Sequence, residues 1–163
     1  MRNRNTAWMY ILIVTIAGFM ALNNTQASDD DKKAVMEATD KFYVALNSMF
    51  KGDLDLMKEV WSHADDVTYM GPGGGIKIGW DQVLASWEAQ AAMKLGGSVH
   101  AEDMSITAGN EIAVSINYAK GENIDAEGKP RPVSIRTTNT FRKEDGKWKM
   151  IGHHTDLLPS MQK

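Results

Sequence analysis

Thr137, Asn139, His154 and Asp156 are the residues of this chain whose types and spacing best suggest chemistry. They lie in two strand-like runs flanking Asp145-Gly146, the dipeptide most typical of a tight hairpin. With an even-numbered loop, cross-strand partners share a face. Ile135, Phe141, Trp148 and Met150 then fall on one side, and the four polar residues fall on the same side. An imidazole next to a carboxylate on a buried face can act as a general base or hydrogen-bond a ligand. The plainer alternative is a core histidine satisfied by a neighbouring strand. Asn139 needs partners for its amide, whether structural or ligand. Strict alternation turns His154 inward and His153 outward.

The elements that would position these residues can be read in order. Ser28 to Asp31 suit a helix N-terminus, and Val35, Ala38, Phe42, Ala45, Leu46 and Met49 recur at helical spacing through Phe50. Gly52 ends that helix, and Asp53 can cap a second with Leu54, Met57, Val60 and Trp61 as its stripe. After a short strand at Val67–Met70 and a glycine-rich turn, a third helix carries Trp80, Val83, Leu84, Trp87 and Ala91. Four strands follow, at Ser98–Ile106, Glu111–Lys120, Val133–Arg142 and Lys147–Thr155. Helices followed by an antiparallel sheet predict an α+β fold with a curved sheet over the helices. The alternation of Ile112, Val114, Ile116 and Tyr118 predicts a core face on the second of these strands. Pairing Ile106 with Ile112 and Met104 with Val114 would bring His100 near Tyr118, a register that a one-residue slip reverses. Trp61, Tyr69, Trp80 and Trp87 would form an apolar wall.

The order Gly52-Asp53-Leu54, Asp65-Asp66-Val67, Gly71-Pro72-Gly73-Gly74, Gly128-Lys129-Pro130-Arg131, Asp145-Gly146-Lys147-Trp148 and His154 resembles the nuclear-transport-factor-2-like superfamily. Its SnoaL-like and calcium/calmodulin-dependent kinase association-domain branches are the most similar. The resemblance implies a cone: a bent antiparallel sheet folded around about three N-terminal helices, with a pocket between them. It also implies homodimers or rings through the outer sheet face. By position, Arg131 is similar to an association-domain arginine that lines the pocket and favours a carboxylate ligand, a task suited to a planar guanidinium. Two departures stand out: Asp156 replaces a serine and Gly152 replaces a histidine of that domain. The family includes isomerases, cyclases, binding modules and assembly hubs, so fold leaves the activity open.

Before all this, Arg2 and Arg4 precede an apolar run, Trp8–Leu22, and then a polar stretch ending at Ala27. That order reads as a secretory signal, with residues 28–163 as one exported domain, periplasmic or secreted; the run is short for a membrane span. There is no cysteine, so packing alone must hold the domain. Without Arg2 and Arg4, 16 basic residues face 21 acidic ones, a net charge of −5, which argues against nucleic acid. Gly71–Gly75 lacks the ending of a phosphate loop, and there is no serine-hydrolase elbow. His63, His100, His153 and His154 lack zinc spacing. The expectation is a small-molecule-binding domain needing no cofactor or metal. Its site would comprise His154 as the candidate catalytic group and Arg131, Asn139, Tyr118, His100, Asp156, Trp80, Trp87 and Tyr69 around the ligand. A cofactor-free isomerase, lyase or cyclase and a ligand-free assembly module are the alternatives.

Overall fold

The computed structural model describes residues 28–157, so the expected signal segment at residues 1–27 lies outside the described residues. Helix α1 spans Asp29–Met49, α2 Asp55–Val60 and α3 Trp80–Met93. Ser28 caps α1 by accepting a hydrogen bond from the Asp31 amide at 3.1 Å, and Asp29, Asp30 and Asp31 place negative charge on its first turn. Asp53 takes the Asp55 amide at 2.9 Å and starts α2. The strands are β1 (Thr68–Met70), β2 (Lys77–Ile78), β3 (Ser98–Ala108), β4 (Ile112–Ile124), β5 (Pro130–Glu144) and β6 (Lys147–Leu157).

They form one curved, unclosed sheet in the order β2-β1-β6-β5-β4-β3, with the helices on its inner face. The α+β expectation holds, with one refinement: β1 runs parallel to β6, so the sheet is mixed. Val35, Phe42, Met49, Met57, Trp61, Trp87, Phe141 and Met150 are all but fully buried between the layers. Where β3 leaves the third helix, the backbones of Val99 and Gly121 pair so closely that a Cβ on Gly121 (φ +147°) would lie 2.1 Å from the Ser98 carbonyl oxygen. Only glycine permits that approach.

On β4 the expected face is reversed. Ala113, Ser115, Asn117 and Ala119 point inward, whereas Ile112 and Ile116 are 47% and 50% exposed on the outer face. The cause is α1, which lies directly across the middle of this strand. Thr39 touches Ser115, and the Tyr43 hydroxyl accepts from Asn117 Nδ2 at 2.5 Å. Small and polar side chains leave room for the helix there. The β3–β4 register is also three residues from the expected one, Thr107 rather than Met104 opposing Val114, and two residues from it beyond a bulge between Glu102 and Ser105.

Candidate functional site

The β5–β6 hairpin begins as its sequence predicts. Glu144 pairs with Lys147, and Asp145 and Gly146 both have positive φ, 49° and 77°, as a type I′ turn requires. Phe141, Trp148 and Met150 face the core. The alternation then breaks. Phe141 pairs with Met150 but Thr140 pairs with Gly152, leaving Ile151 as an extra residue in β6. Such a bulge shifts the phase of every following side chain. His153 and Thr155 therefore turn inward beside Asn139 and Thr137, and His154 and Asp156 turn outward. The inward histidine is His153, not the expected His154.

His153 ends a buried polar chain whose direction can be fixed from one terminus. Thr39 Oγ1 lies 2.9 Å from the Val35 carbonyl, which can only accept, so the single hydroxyl proton of Thr39 goes there. The contact between Thr39 Oγ1 and Ser115 Oγ, 3.0 Å, then uses the proton of Ser115. Ser115 Oγ accepts from Asn139 Nδ2 at 3.1 Å, which leaves Asn139 Oδ1 to accept from His153 Nδ1–H at 2.7 Å. The imidazole is thus held as the Nδ1–H tautomer, assigned from the network. Its Nε2 has no hydrogen-bond partner among the described residues.

Burial is the main reason that the pKa of His153 is pushed down to about 3, with the neighbouring His154 a lesser one. Phe42, Tyr69 and Trp87 surround the ring at centroid distances of 4.8, 5.8 and 6.1 Å. An amide partner, unlike a carboxylate, offers an imidazolium no compensating charge. This ring can accept a hydrogen bond but is a weak base at neutral pH. Asn139→Asp is expected to raise the His153 pKa by two units or more, because a buried carboxylate favours the imidazolium. Histidine proton shifts followed against pH would check this, and an unchanged titration would refute the assigned contact.

His153 lines a cavity of about 110 Å³ between α1, α3 and the sheet. Tyr43, Phe50, Tyr69 and Trp87 supply aromatic walls, and Thr137 and Thr155 supply hydroxyls. Among the described residues, no Asp, Glu, Lys or Arg contributes to the lining. Burial pushes the phenol pKa values of Tyr43 and Tyr69 up, so both stay neutral. Tyr69 is fixed by Gln90, whose amide donates to its hydroxyl at 3.0 Å. Trp87 Nε1 and Thr155 Oγ1 are buried without a hydrogen-bond partner among the described residues, and Thr137 lies against the Tyr43 hydroxyl. Pro72, Leu95, Asn123 and Val133 form the partly exposed rim.

The candidates named from sequence are divided between two faces. Tyr69 and Trp87 line the inner cavity, and Asn139 stands behind His153. Tyr118, His154 and Asp156 come together on the outer face, around a groove of about 410 Å³ that Arg136 and Ile116 also border. Arg136 donates to both oxygens of Asp156, at 3.0 and 2.5 Å, and its guanidinium holds that carboxyl below the usual carboxylate range. Asp156 is therefore engaged by Arg136 and is not placed to serve His154 as a partner inside the pocket. His100 is exposed opposite Lys120, away from Tyr118, because of the shifted β3–β4 register. Trp80 sits at the start of α3, stacked on His63 at 4.2 Å, outside the cavity. Arg131 is at the sheet end, bonded to Asp125 at 2.7 Å through an otherwise exposed side chain, and does not reach the cavity. A carboxylate ligand would thus meet no cation in the lining.

Sequence reasoning missed His153, Thr155, Tyr43 and Gln90. One signal for the first two was available: on strict alternation Gly152 would occupy an inward core position, and a glycine within a strand often marks a bulge.

A model of the SnoaL-like domain matches residues 35–158. Among solved structures, the chain is similar to an NTF2-like family protein from Streptomyces avermitilis, provisionally assigned as a dehydratase. The TM-score is 0.71 at 21% identity, over 80% of this chain and 99% of that one. It is also similar to a Thiobacillus denitrificans protein provisionally assigned as a calcium/calmodulin-dependent protein kinase type II association domain. There the TM-score is 0.65 at 27% identity, over 76% and 94% of the two chains. A nuclear transport factor 2-like superfamily protein from Salmonella enterica gives 0.69 at 15% identity, over 84% and 99%. No protein of curated function matches the chain. The six-stranded curved sheet over N-terminal helices, together with the family match across most of its length, places the chain in the SnoaL-like domain family of the nuclear-transport-factor-2-like superfamily.

Proposed function

We propose that this is an exported small-molecule-binding domain that holds an uncharged ligand in the cavity between sheet and helices. The observation that carries this reading is the pair of buried polar atoms without partners around an uncharged cavity, namely Trp87 Nε1 and Thr155 Oγ1. Each such atom costs roughly 1–3 kcal/mol if it stays unmatched, so an occupant with polar groups would recover part of that cost. The alternative, a cofactor-free isomerase or lyase, requires a base, and the depressed basicity of His153 weighs against it. Export rests on the charged, apolar and polar order of residues 1–27. The test is a high-resolution structure and native mass spectrum of protein recovered from its own compartment. A co-purified uncharged molecule in the cavity lined by Trp87 and His153 is expected; an empty, collapsed cavity would reject the proposal.

The domain is further proposed to work as a homodimer through its outer sheet face. Ile112 and Ile116 there have no cover among the described residues, and apolar side chains exposed along one strand face suit association. Ile116→Lys is expected to convert the dimer to a monomer in sedimentation equilibrium without loss of folded structure. A monomeric wild type, or a dimer unaffected by the substitution, would remove this part of the proposal.

A further inference from the structure

We infer that the cavity selects a small planar ring bearing one O–H or N–H donor, and that His153 Nε2 is the acceptor that reads it, with Asn139 as the positioning residue. This rests on the ligand-binding proposal above and adds what the site distinguishes. The polar chain from the Val35 carbonyl leaves no freedom in proton placement: Thr39, Ser115 and Asn139 each spend their donor toward the helix. His153 must then place its proton on Nδ1, leaving the Nε2 lone pair for the cavity side of the ring. A ligand acceptor at that point would face another lone pair and be repelled, whereas a donor completes the hydrogen bond.

Size and shape narrow the class. An engineered cavity of about 150 Å³ admits benzene. At about 110 Å³, this one takes a single ring whose far edge reaches the rim at Pro72 and Leu95. Tyr69 and Trp87 pack on each other, ring centroids 4.5 Å apart, and together with Tyr43 and Phe50 give the cavity an aromatic lining against which a planar ring can stack. With no charged side chain in the lining among the described residues, carboxylates and amines are disfavoured, because their desolvation would go uncompensated.

Phenol, toluene and benzoate separate these features at nearly constant shape. By calorimetry at neutral pH, phenol is expected to bind at least tenfold more tightly than toluene, and benzoate not measurably. In His153→Phe the preference for phenol over toluene should vanish. Independently of that variant's folding, the ¹⁵N resonance of Nε2 in the wild type should be that of an unprotonated nitrogen and should move when phenol is added. Toluene binding as tightly as phenol, or a protonated or unresponsive Nε2, would overturn the donor rule while leaving the cavity a ligand site. Failure of both phenol and toluene to bind would overturn the rule and the ligand-binding proposal together.

Discussion

Asn139→Leu is expected to lower stability by about 3 kcal/mol, because the amide it removes satisfies a buried donor on one side and a buried acceptor on the other. Leucine matches the shape closely, so the loss is polar rather than a packing defect. Whichever tautomer His153 then adopts, Nδ1 faces an apolar side chain: as N–H it lacks an acceptor, and as a lone pair it lacks a donor. For a domain of this size the loss corresponds to a melting temperature lower by roughly 10 °C. Ser115→Ala, which interrupts the same chain one step further from the ring, should cost about 1 kcal/mol. A thermal scan that moved by less than about 2 °C for Asn139→Leu would mean that the amide does not tie β5 to β6 in the way described.

The second expectation concerns acid. His153 has a folded-state pKa pushed down to about 3 from an ordinary value of 6.5, so between these values the unfolded chain holds a proton that the native state excludes. The unfolded state is then favoured increasingly as pH falls. Stability should drop by about 1.4 kcal/mol for each pH unit below 6.5, or about 2 kcal/mol by pH 5. The carboxylates with lowered pKa, Asp31, Asp66 and Asp156 among them, stabilise the fold above the usual carboxylate range and lose that contribution only as pH falls through it. The two windows are therefore separable. Urea midpoints at pH 7, 6 and 5 would measure the slope, and His153→Phe should flatten it whatever the variant's absolute stability. An unchanged slope would assign the acid sensitivity elsewhere.

The helices, the type I′ hairpin and the strand-rich second half were legible because each rests on local rules: the cap at Ser28, helical spacing from Val35 to Met49, and Asp145-Gly146 at the turn. What was not legible was the phase of the strands. Alternation shows that two faces differ but not which one the helices cover. On β4 the apolar face was taken for the core, yet α1 lies against Ala113, Ser115 and Asn117, whose small or polar side chains let it approach. On β6 one extra residue at Ile151 exchanged the histidines. Tyr69 and Trp87 were placed correctly in the cavity wall because a bulky aromatic between sheet and helix has little other place to go. Arg131 was assigned by resemblance alone, and its local partner Asp125 keeps it at the sheet end.

The bulge at Ile151 also decides which histidine is sequestered, because it takes up one residue between Met150 and Gly152. Deleting Ile151 would leave Gly152 opposite Thr140 and His153 opposite Asn139, so plain alternation from Met150 would keep His153 and Thr155 inside and His154 and Asp156 outside. Paired without the bulge at full length, the strand would instead bring His154 and Asp156 inside, an imidazole next to an acid in place of a neutral acceptor backed by an amide. The choice between those two interiors lies in one backbone irregularity, with no change to any side chain.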